Sequence, residues 1–331
     1  MRNHKEVGLT DEDVKEMYRT MLLSRKLDER MWLLNRAGKL PFVISCQGQE
    51  ATQVGAGFAL NKEEDVLSPY YRDLALATHF GMTPLETMLS AFAKEGDIQS
   101  GGRQMPGHFS KKDANILSQG SAVTTQVLHA VGAAYKFKLD GEKRVALTTL
   151  GEGSTSQGDF HEGLNFAGVH KLPVICLIEN NKYAISVPTR LQYAVEKLSD
   201  RAHGYGIHGE HVDGNDPFAV YEVVKAARDR AVNGEGASLI EAMSTRLTAH
   251  SSDDDDSYRT IEEREKNKEE DCIVLLKDYM VEKNIAEDSW FLEIEEEFKA
   301  IVKEATKEAE NAPYPKAEDA LRHVYEEVDN G

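Results

Sequence analysis

The sequence is poor in cysteine and in long apolar runs. Only Cys46, Cys176 and Cys272 occur among 331 residues, and they are widely spaced, without a C-x-x-C pair. Such usage argues against a disulfide framework and against a structural zinc site. No apolar run approaches the roughly 20 residues that a membrane span needs, and residues 1–13 carry no secretory or transit pattern. These absences predict a cytoplasmic protein that does not enter a membrane; a processed organellar protein would have the same features.

Positive charge is also scarce. The chain has 39 Lys and Arg residues against 57 Asp and Glu residues, which gives a formal net charge of −18. An acidic chain without a basic stripe is a poor partner for nucleic acid or for an anionic membrane surface. The remaining composition, 40% apolar and 29% charged, is that of a globular enzyme with a substantial core.

What the sequence does contain is an alternation of short apolar runs with helical patterns in its middle part. Hydrophobic periodicity predicts strands at 144–150, 173–178 and 238–243, and helices at 123–139, 156–170 and 217–232. Parallel strands need helical crossovers, and their apolar runs are continuous because both faces of the sheet are buried. The pattern therefore predicts an α/β fold built on a doubly wound parallel sheet.

Helical segments flank this sheet in the sequence. Residues 9–36 predict a helix with Thr10 as its N-cap. After the acidic run 253–256, the chain becomes charged and helical, and Pro313 and Pro315 separate a long helix from a short final one. The long helix carries an apolar stripe, formed by Phe291, Ile294, Phe298, Ile301, Val302 and Ala305. We expect an N-terminal helical segment at 1–50, an α/β domain at 51–260 and a C-terminal helical segment at 261–331 packed on it.

Two polar motifs follow the predicted strands. Gly151-Glu152-Gly153 ends the first, where glycines and a helix N-terminus let a phosphate approach the backbone. A carboxylate there would repel the phosphate unless a divalent cation bridged them. The run 179–183, Glu-Asn-Asn-Lys-Tyr, ends the second strand, and the 26 residues 154–179 separate Gly153 from Asn180. Amide and carbonyl oxygens there suit a hard cation. Either motif alone is more often a structural turn; together they predict a phosphate and cation site.

At this spacing the two motifs resemble the signature of the thiamine-diphosphate-binding fold family, with Glu152 in the place of the usual Asp. The resemblance implies that Mg²⁺ is held against the diphosphate of thiamine diphosphate by Glu152, Asn181 and the carbonyl of Tyr183. The resemblance covers residues from about 10 to 325. Two segments, 102–106 and 250–259, make it more specific, because they look like the corresponding segments in alpha subunits of branched-chain 2-oxo acid dehydrogenases.

The resemblance also assigns further residues. Tyr71 and Arg72 correspond to diphosphate contacts. His250 corresponds to a further diphosphate contact, near the reacting centre, and Arg246 to a cofactor-binding residue close to it. Ser121, Val123, Gly151 and Gly153 would touch the cofactor, and Phe42 would line the acyl pocket. Ser251 matches a position that a kinase phosphorylates in animal relatives. Glu179 stands where animal relatives have an Arg on the diphosphate, which leaves charge compensation to Mg²⁺ and Arg72.

The activity that the resemblance implies is oxidative decarboxylation of branched-chain 2-oxo acids such as 3-methyl-2-oxobutanoate, with acyl transfer to a lipoyl group. Such alpha subunits form a heterotetramer of two alpha and two beta subunits and work with a lipoyl acyltransferase core. The beta subunit supplies the Glu that activates the cofactor, so we expect the chain to be inactive alone.

Three alternatives stay open on the sequence. They are a pyruvate or acetoin dehydrogenase alpha subunit, a Rossmann-type dinucleotide binder and a purely structural subunit. The dinucleotide alternative is weakened because Gly151-Glu152-Gly153 lacks the further glycine of that fingerprint. A zinc hydrolase is disfavoured because no second His follows His161 at four residues. His208 and His211 are expected to flank a surface loop.

Overall fold

The structure, a computed structural model, describes residues 1–322. Its helices, in chain order, are α1 (Asp11–Arg36), α2 (Glu50–Phe58), α3 (Leu74–His79), α4 (Pro84–Ala91), α5 (Thr125–Asp140), α6 (Gly158–Val169), α7 (Ala202–Tyr205), α8 (Pro217–Val232), α9 (Ile261–Glu269), α10 (Cys272–Glu282) and α11 (Asp288–Asn311). Its strands are β1 (Val66–Ser68), β2 (Ala146–Gly151), β3 (Val174–Asn180), β4 (Tyr183–Ala184), β5 (Val187–Pro188), β6 (His208–Asp213) and β7 (Ser238–Met243). The final helix predicted after Pro315 lies largely outside the described residues.

A five-stranded parallel sheet forms the centre of the fold, in the order β1-β2-β3-β7-β6. Gly151 at the end of β2 pairs with Glu179 of β3, and Asn180 pairs with Met243 of β7. The carboxyl ends of these strands therefore meet at one edge of the sheet. The predicted strands and the three central helices are confirmed, with bounds that differ by at most two residues at each end. His208 and His211 are exposed, as expected, but both lie in β6, so the prediction that they flank a loop is wrong.

The two faces of the sheet are covered by different helices. Along β3, Val174, Cys176 and Ile178 pack in one apolar cluster with α5 and α6. Ile175 and Leu177, which point to the opposite face, pack in another cluster with α2 and α8. Alternation of this kind explains why β3 is apolar without interruption from Val174 to Ile178. The prediction of an α/β fold on a parallel sheet is confirmed.

The flanking helices pack on each other beside the sheet. Thr10 caps α1 through a capping box with Asp13, as predicted. A separate apolar cluster joins α1 to α10 and α11. The predicted apolar stripe on α11 is buried at Phe291, Phe298 and most of its other positions. Ile301 is the exception: it is 37% exposed and does not belong to the buried stripe. Within the described residues, no helix is long and apolar enough to cross a membrane.

Candidate active site

A cavity of about 290 Å³ opens at the carboxyl edge of the sheet. It is lined by Ile44, Tyr70, Tyr71, Arg72, Val123, Gly151, Glu152, Gly153, Ser154, Asn181, Tyr183, Ala184, Ile185 and His250. Most residues that the sequence predicted for the site are among them. The strand order therefore brings together segments that are far apart in the chain, as expected for an open parallel sheet.

Glu152 and Asn181 lie next to each other on the cavity wall. The Glu152 side chain accepts hydrogen bonds from the backbone N–H of Asn181 at 3.3 Å and from Nε2 of Gln192 at 3.1 Å. Burial raises the pKa of the Glu152 carboxyl because the charged form is poorly solvated. The Oδ1 atom of Asn181 is buried and has no hydrogen-bond partner among residues 1–322. A carboxylate and an unpartnered amide oxygen thus face the same space, an arrangement that suits a hard cation.

Tyr183 adds a carbonyl oxygen, which accepts a 3.3 Å hydrogen bond from Nη1 of Arg246. In the described part of the chain, no group of three or more His, Cys, Asp or Glu residues could hold a metal ion. Glu152 is therefore the sole acidic ligand of this predicted triad, and the other two ligands are neutral oxygens. Such a set suits Mg²⁺, which keeps few protein ligands when a substrate phosphate also binds it.

Arg72 and His250 form a second polar wall. Arg72 is buried, its Nη1 donates to the carbonyl of Ser45, and its Nη2 lies 3.3 Å from Nδ1 of His250. Because a guanidinium can only donate, Nδ1 of His250 accepts and the proton sits on Nε2. Burial, with Arg72 and Arg246 nearby, lowers the pKa of His250 to about 4. His250 is therefore neutral at neutral pH and offers one N–H donor.

Three residues that the sequence predicted for the site, Arg246, Ser121 and Phe42, lie outside the lining of this cavity. Arg246 contacts the residues that line the cavity: it donates hydrogen bonds to the carbonyls of Tyr183 and Ile185. It also donates to the hydroxyl of Tyr258. Ser121 is exposed, and its Oγ lies 2.6 Å from Nε2 of His108.

Phe42 lines a second, apolar cavity, which shares Ile44 and Tyr71 with the first. It therefore stands next to the cavity in which the sequence placed the cofactor.

Glu179 is absent from the cavity lining, so its charge does not face a cofactor bound there. It is fully buried and accepts hydrogen bonds from Gln53 at 3.1 Å and from the hydroxyl of Tyr70 at 3.2 Å. Burial and the neighbouring carboxyl group of Asp73 raise the pKa of Glu179 well above its ordinary value. Since two buried carboxyl groups this close disfavour a second negative charge, the pair is expected to hold one proton between them.

The shared proton makes the stability of the protein depend on pH. Burial raises the pKa of Asp73, and burial and Asp73 together raise that of Glu179. The folded protein keeps a proton that the unfolded chain releases above about pH 4, so this contribution to stability is complete below that pH and is lost as pH rises. In urea unfolding at a series of pH values, the free energy of unfolding is expected to fall less with rising pH in Asp73→Asn than in the wild type. Parallel curves for variant and wild type would contradict the shared proton.

Sequence reasoning missed the side chains that hold the predicted ligands in place. Gln192, which donates to Glu152, follows the β4–β5 hairpin, and Gln49 accepts a 3.1 Å hydrogen bond from Asn181. Asp28 of α1 accepts a 2.6 Å hydrogen bond from the backbone N–H of Cys46, next to the Ser45 carbonyl on Arg72. No local pattern marks these residues, because each acts across a long separation in the sequence.

Comparison with known proteins identifies the family. The family model for the dehydrogenase E1 component matches residues 18–318. The chain is 58% identical to the 2-oxoisovalerate dehydrogenase subunit alpha of Bacillus subtilis, over 97% of this chain and 98% of that protein. It is 38% identical to the pyruvate dehydrogenase E1 component subunit alpha of Bacillus subtilis and to that of Bacillus cereus, over 97% of this chain and 84% of each relative. The chain therefore belongs to the dehydrogenase E1 component family, and within it to the alpha subunits.

Proposed function

We propose that the chain is the alpha subunit of a branched-chain 2-oxo acid dehydrogenase that acts on 3-methyl-2-oxobutanoate and transfers the acyl group to a lipoyl arm. The observation that carries the proposal is 58% identity to a 2-oxoisovalerate dehydrogenase subunit over nearly the whole of both chains. The family itself is that of thiamine-diphosphate-dependent oxidoreductases acting on 2-oxo acids. The pyruvate relatives share only 38%, which favours the branched-chain substrate over the pyruvate alternative.

The cavity residues fit thiamine diphosphate with Mg²⁺. Glu152, Asn181 and the Tyr183 carbonyl would hold the cation, and the unpartnered Oδ1 of Asn181 supports this assignment. When bound, the cofactor supplies the carbanion and the electron sink for decarboxylation.

The protein's own part is to place that cofactor. Tyr71 and Arg72 would bind the diphosphate, with Val123, Gly151 and Gly153 against the rest of the cofactor. Ser121 and Arg246 would complete the site from outside the lining.

His250 is proposed as the catalytic residue of this subunit. Arg72 occupies its Nδ1, so Nε2–H is the donor available to the cavity. Since its pKa is about 4, it would donate a hydrogen bond without adding charge at neutral pH. A neutral donor of this kind can orient a 2-oxo acid carbonyl or a phosphate oxygen. Phe42, in the neighbouring apolar cavity, would receive the branched acyl chain.

We further propose the assembly and setting implied by this function. The chain would pair with a beta subunit in a tetramer of two alpha and two beta subunits, in the cytoplasm, and would serve a lipoyl acyltransferase core. The five-stranded parallel sheet would be doubly wound and would form half of a thiamine-diphosphate site, in a domain at 51–260. Segments 1–50 and 261–331, whose helices pack together, would support it.

Gly153→Ala is expected to weaken thiamine diphosphate binding by roughly 10–100-fold, the range found when groups that orient a metal ligand are disturbed. A Cβ at this position would lie 2.4 Å from Cβ of Ala184, so the hairpin that carries the Tyr183 carbonyl must move. Titration calorimetry of the complex with the cofactor at fixed Mg²⁺ measures the effect.

Gly132→Ala is the matched control, because a Cβ there meets nothing within 4 Å and alanine favours the helix by up to about 1 kcal/mol. Unchanged cofactor binding in Gly153→Ala would show that the hairpin carries no ligand.

The substrate is tested in the complex with a co-expressed beta subunit, by 2-oxo-acid-dependent dye reduction with Mg²⁺ and thiamine diphosphate. We expect kcat/KM for 3-methyl-2-oxobutanoate to exceed that for pyruvate by at least about 10-fold, since one methylene in an apolar pocket contributes about 1–3 kcal/mol. Phe42→Ala should reduce this ratio, whereas Phe166→Ala, on the exposed face of α6, should leave it unchanged. Preference for pyruvate would overturn the substrate but keep the cofactor site.

A further inference from the structure

Gln49 lies at the start of α2, where a side chain would ordinarily cap the helix. It is fully buried, yet it makes no capping hydrogen bond to α2. Its Oε1 instead accepts hydrogen bonds from Nδ2 of Asn181 at 3.1 Å and from Oγ of Ser244 at 3.4 Å. The side-chain oxygen of Gln49 is therefore engaged by Asn181 and Ser244 and not by the N–H groups of α2.

The contact determines which end of the Asn181 amide faces the cavity. The NH₂ group is engaged by Gln49, and Oδ1 is left buried and unpartnered on a cavity-lining residue. An amide oxygen is a ligand for a hard cation, whereas an amide NH₂ is a donor and repels one. If the Asn181 amide turned over, the site would lose a ligand and present N–H bonds to the cation.

The backbone around Gln49 is fixed on both sides. The N–H of Gly48 donates to Oε2 of Glu50 at 2.7 Å, and the carbonyl of Gln49 accepts from the N–H of Gln53 at 3.2 Å. Gly48 has a φ of +95°, and a Cβ there would lie 2.2 Å from the carbonyl oxygen of Thr245. The loop therefore lies directly against the segment that follows β7, and the Gln49 side chain has little freedom to leave Asn181.

We propose that Gln49 is a positioning residue, which orients Oδ1 of Asn181 toward a divalent cation by accepting the hydrogen bond from Asn181 Nδ2. The inference rests on the proposed function, since it assumes a cation at Glu152 and Asn181. Only the acceptor oxygen of Gln49 matters for this role, so a side chain of the same length that can only accept should replace it.

The experiment measures Mn²⁺ binding, with Mn²⁺ in place of Mg²⁺, by electron paramagnetic resonance of the free ion in the alpha–beta complex at saturating thiamine diphosphate. Gln49→Met keeps the length but cannot accept, and is expected to weaken Mn²⁺ binding by roughly 10–100-fold, as for other groups that orient metal ligands. Gln49→Asn, which is too short to reach Asn181, should give a similar loss. Gln49→Glu should bind Mn²⁺ as the wild type does. A thermal unfolding curve identifies any variant that fails to fold.

The outcomes separate this inference from the proposed function. Wild-type binding in both Gln49→Met and Gln49→Asn, with loss in Glu152→Gln, would overturn the role of Gln49 and leave the metal site standing. An equal loss in Gln49→Glu would also overturn it, because the acceptor would then not be what matters. Absence of thiamine-diphosphate-dependent Mn²⁺ binding in the wild type itself would overturn the metal site and the inference together. Loss in the Met and Asn variants with rescue by Glu would establish the positioning role.

Discussion

Glu152→Gln is expected to weaken the binding of Mg²⁺ and thiamine diphosphate by more than about 100-fold, beyond the 10–100-fold range for groups that only orient ligands. Glu152 is the sole acidic member of the proposed ligand set, which also contains the Asn181 amide and the Tyr183 carbonyl. The amide keeps the size of the side chain but removes the charge that attracts the cation. Calorimetric titration of the complex with thiamine diphosphate at several Mg²⁺ concentrations measures the loss.

The same substitution should leave the fold intact or stabilise it. Glu152 is 1% exposed, and burial raises the pKa of its carboxyl, so the charge is costly to keep in the absence of a cation. An enzyme that keeps such a charge does so for binding, and removal should not lower the free energy of unfolding. We expect cofactor binding to fall while the urea midpoint of the cofactor-free complex is unchanged or higher.

Glu162→Gln is the matched control. It makes the same change ten residues further along the chain, on an exposed position of α6, and should alter neither quantity. Normal Mg²⁺-dependent binding in Glu152→Gln would remove the metal from this edge of the sheet. A lower urea midpoint, by contrast, would assign Glu152 a structural role.

Much of the fold could be predicted from the sequence, because its core strands are apolar runs between helical patterns. β7 and α8 begin and end where hydrophobic periodicity placed them. β6 could not be predicted, since four of its six residues are His, Glu or Asp. In the described part of the chain, β6 lies at the edge of the sheet and pairs with β7 alone, which supplies its hydrogen bonds. Edge strands need no continuous apolar run.

The candidate site divides in the same way. Residues at strand ends, such as Glu152 and Asn181, follow local motifs and could be found from the sequence. The groups that hold them, Gln49 and Gln192, come from segments whose approach depends on the tertiary fold. The raised pKa of Glu179 was equally hidden, since it depends on the burial of Glu179 itself and on the carboxyl group of Asp73 beside it. Sequence can supply the chemistry of such a site, whereas its orientation and protonation are properties of packing.

Arg25→Met is expected to destabilise the protein by about 3–5 kcal/mol, the cost of leaving a buried charge without its partner. Arg25 donates to both oxygens of Glu50, at 2.6 and 3.1 Å, and to both oxygens of Asp271, at 2.8 and 3.1 Å. Glu50 is fully buried, so water cannot replace the lost hydrogen bonds. Urea unfolding of the complex, monitored by circular dichroism, measures the difference in free energy.

Arg19→Met is the matched control on the same helix. Arg19 also forms an ion pair across helices, with Glu297 at 2.8 Å, but both side chains are partly exposed, and such pairs contribute about 0–1 kcal/mol. Equal losses in the two variants would show that burial does not set the strength of the Arg25 network.

The Arg25 variant also tests how stability and function are joined in this protein. Burial raises the pKa of Glu50, so without Arg25 its carboxyl group should take up a proton at low pH. The loss in free energy of unfolding caused by Arg25→Met should therefore become smaller from pH 8 to pH 5. Glu50 fixes the N–H of Gly48 beside Gln49. Arg25→Met should therefore weaken Mn²⁺ binding as well, and adding Glu50→Gln should recover stability by removing the unpaired charge. Normal Mn²⁺ binding in a destabilised Arg25→Met protein would show that the buried network supports the fold alone.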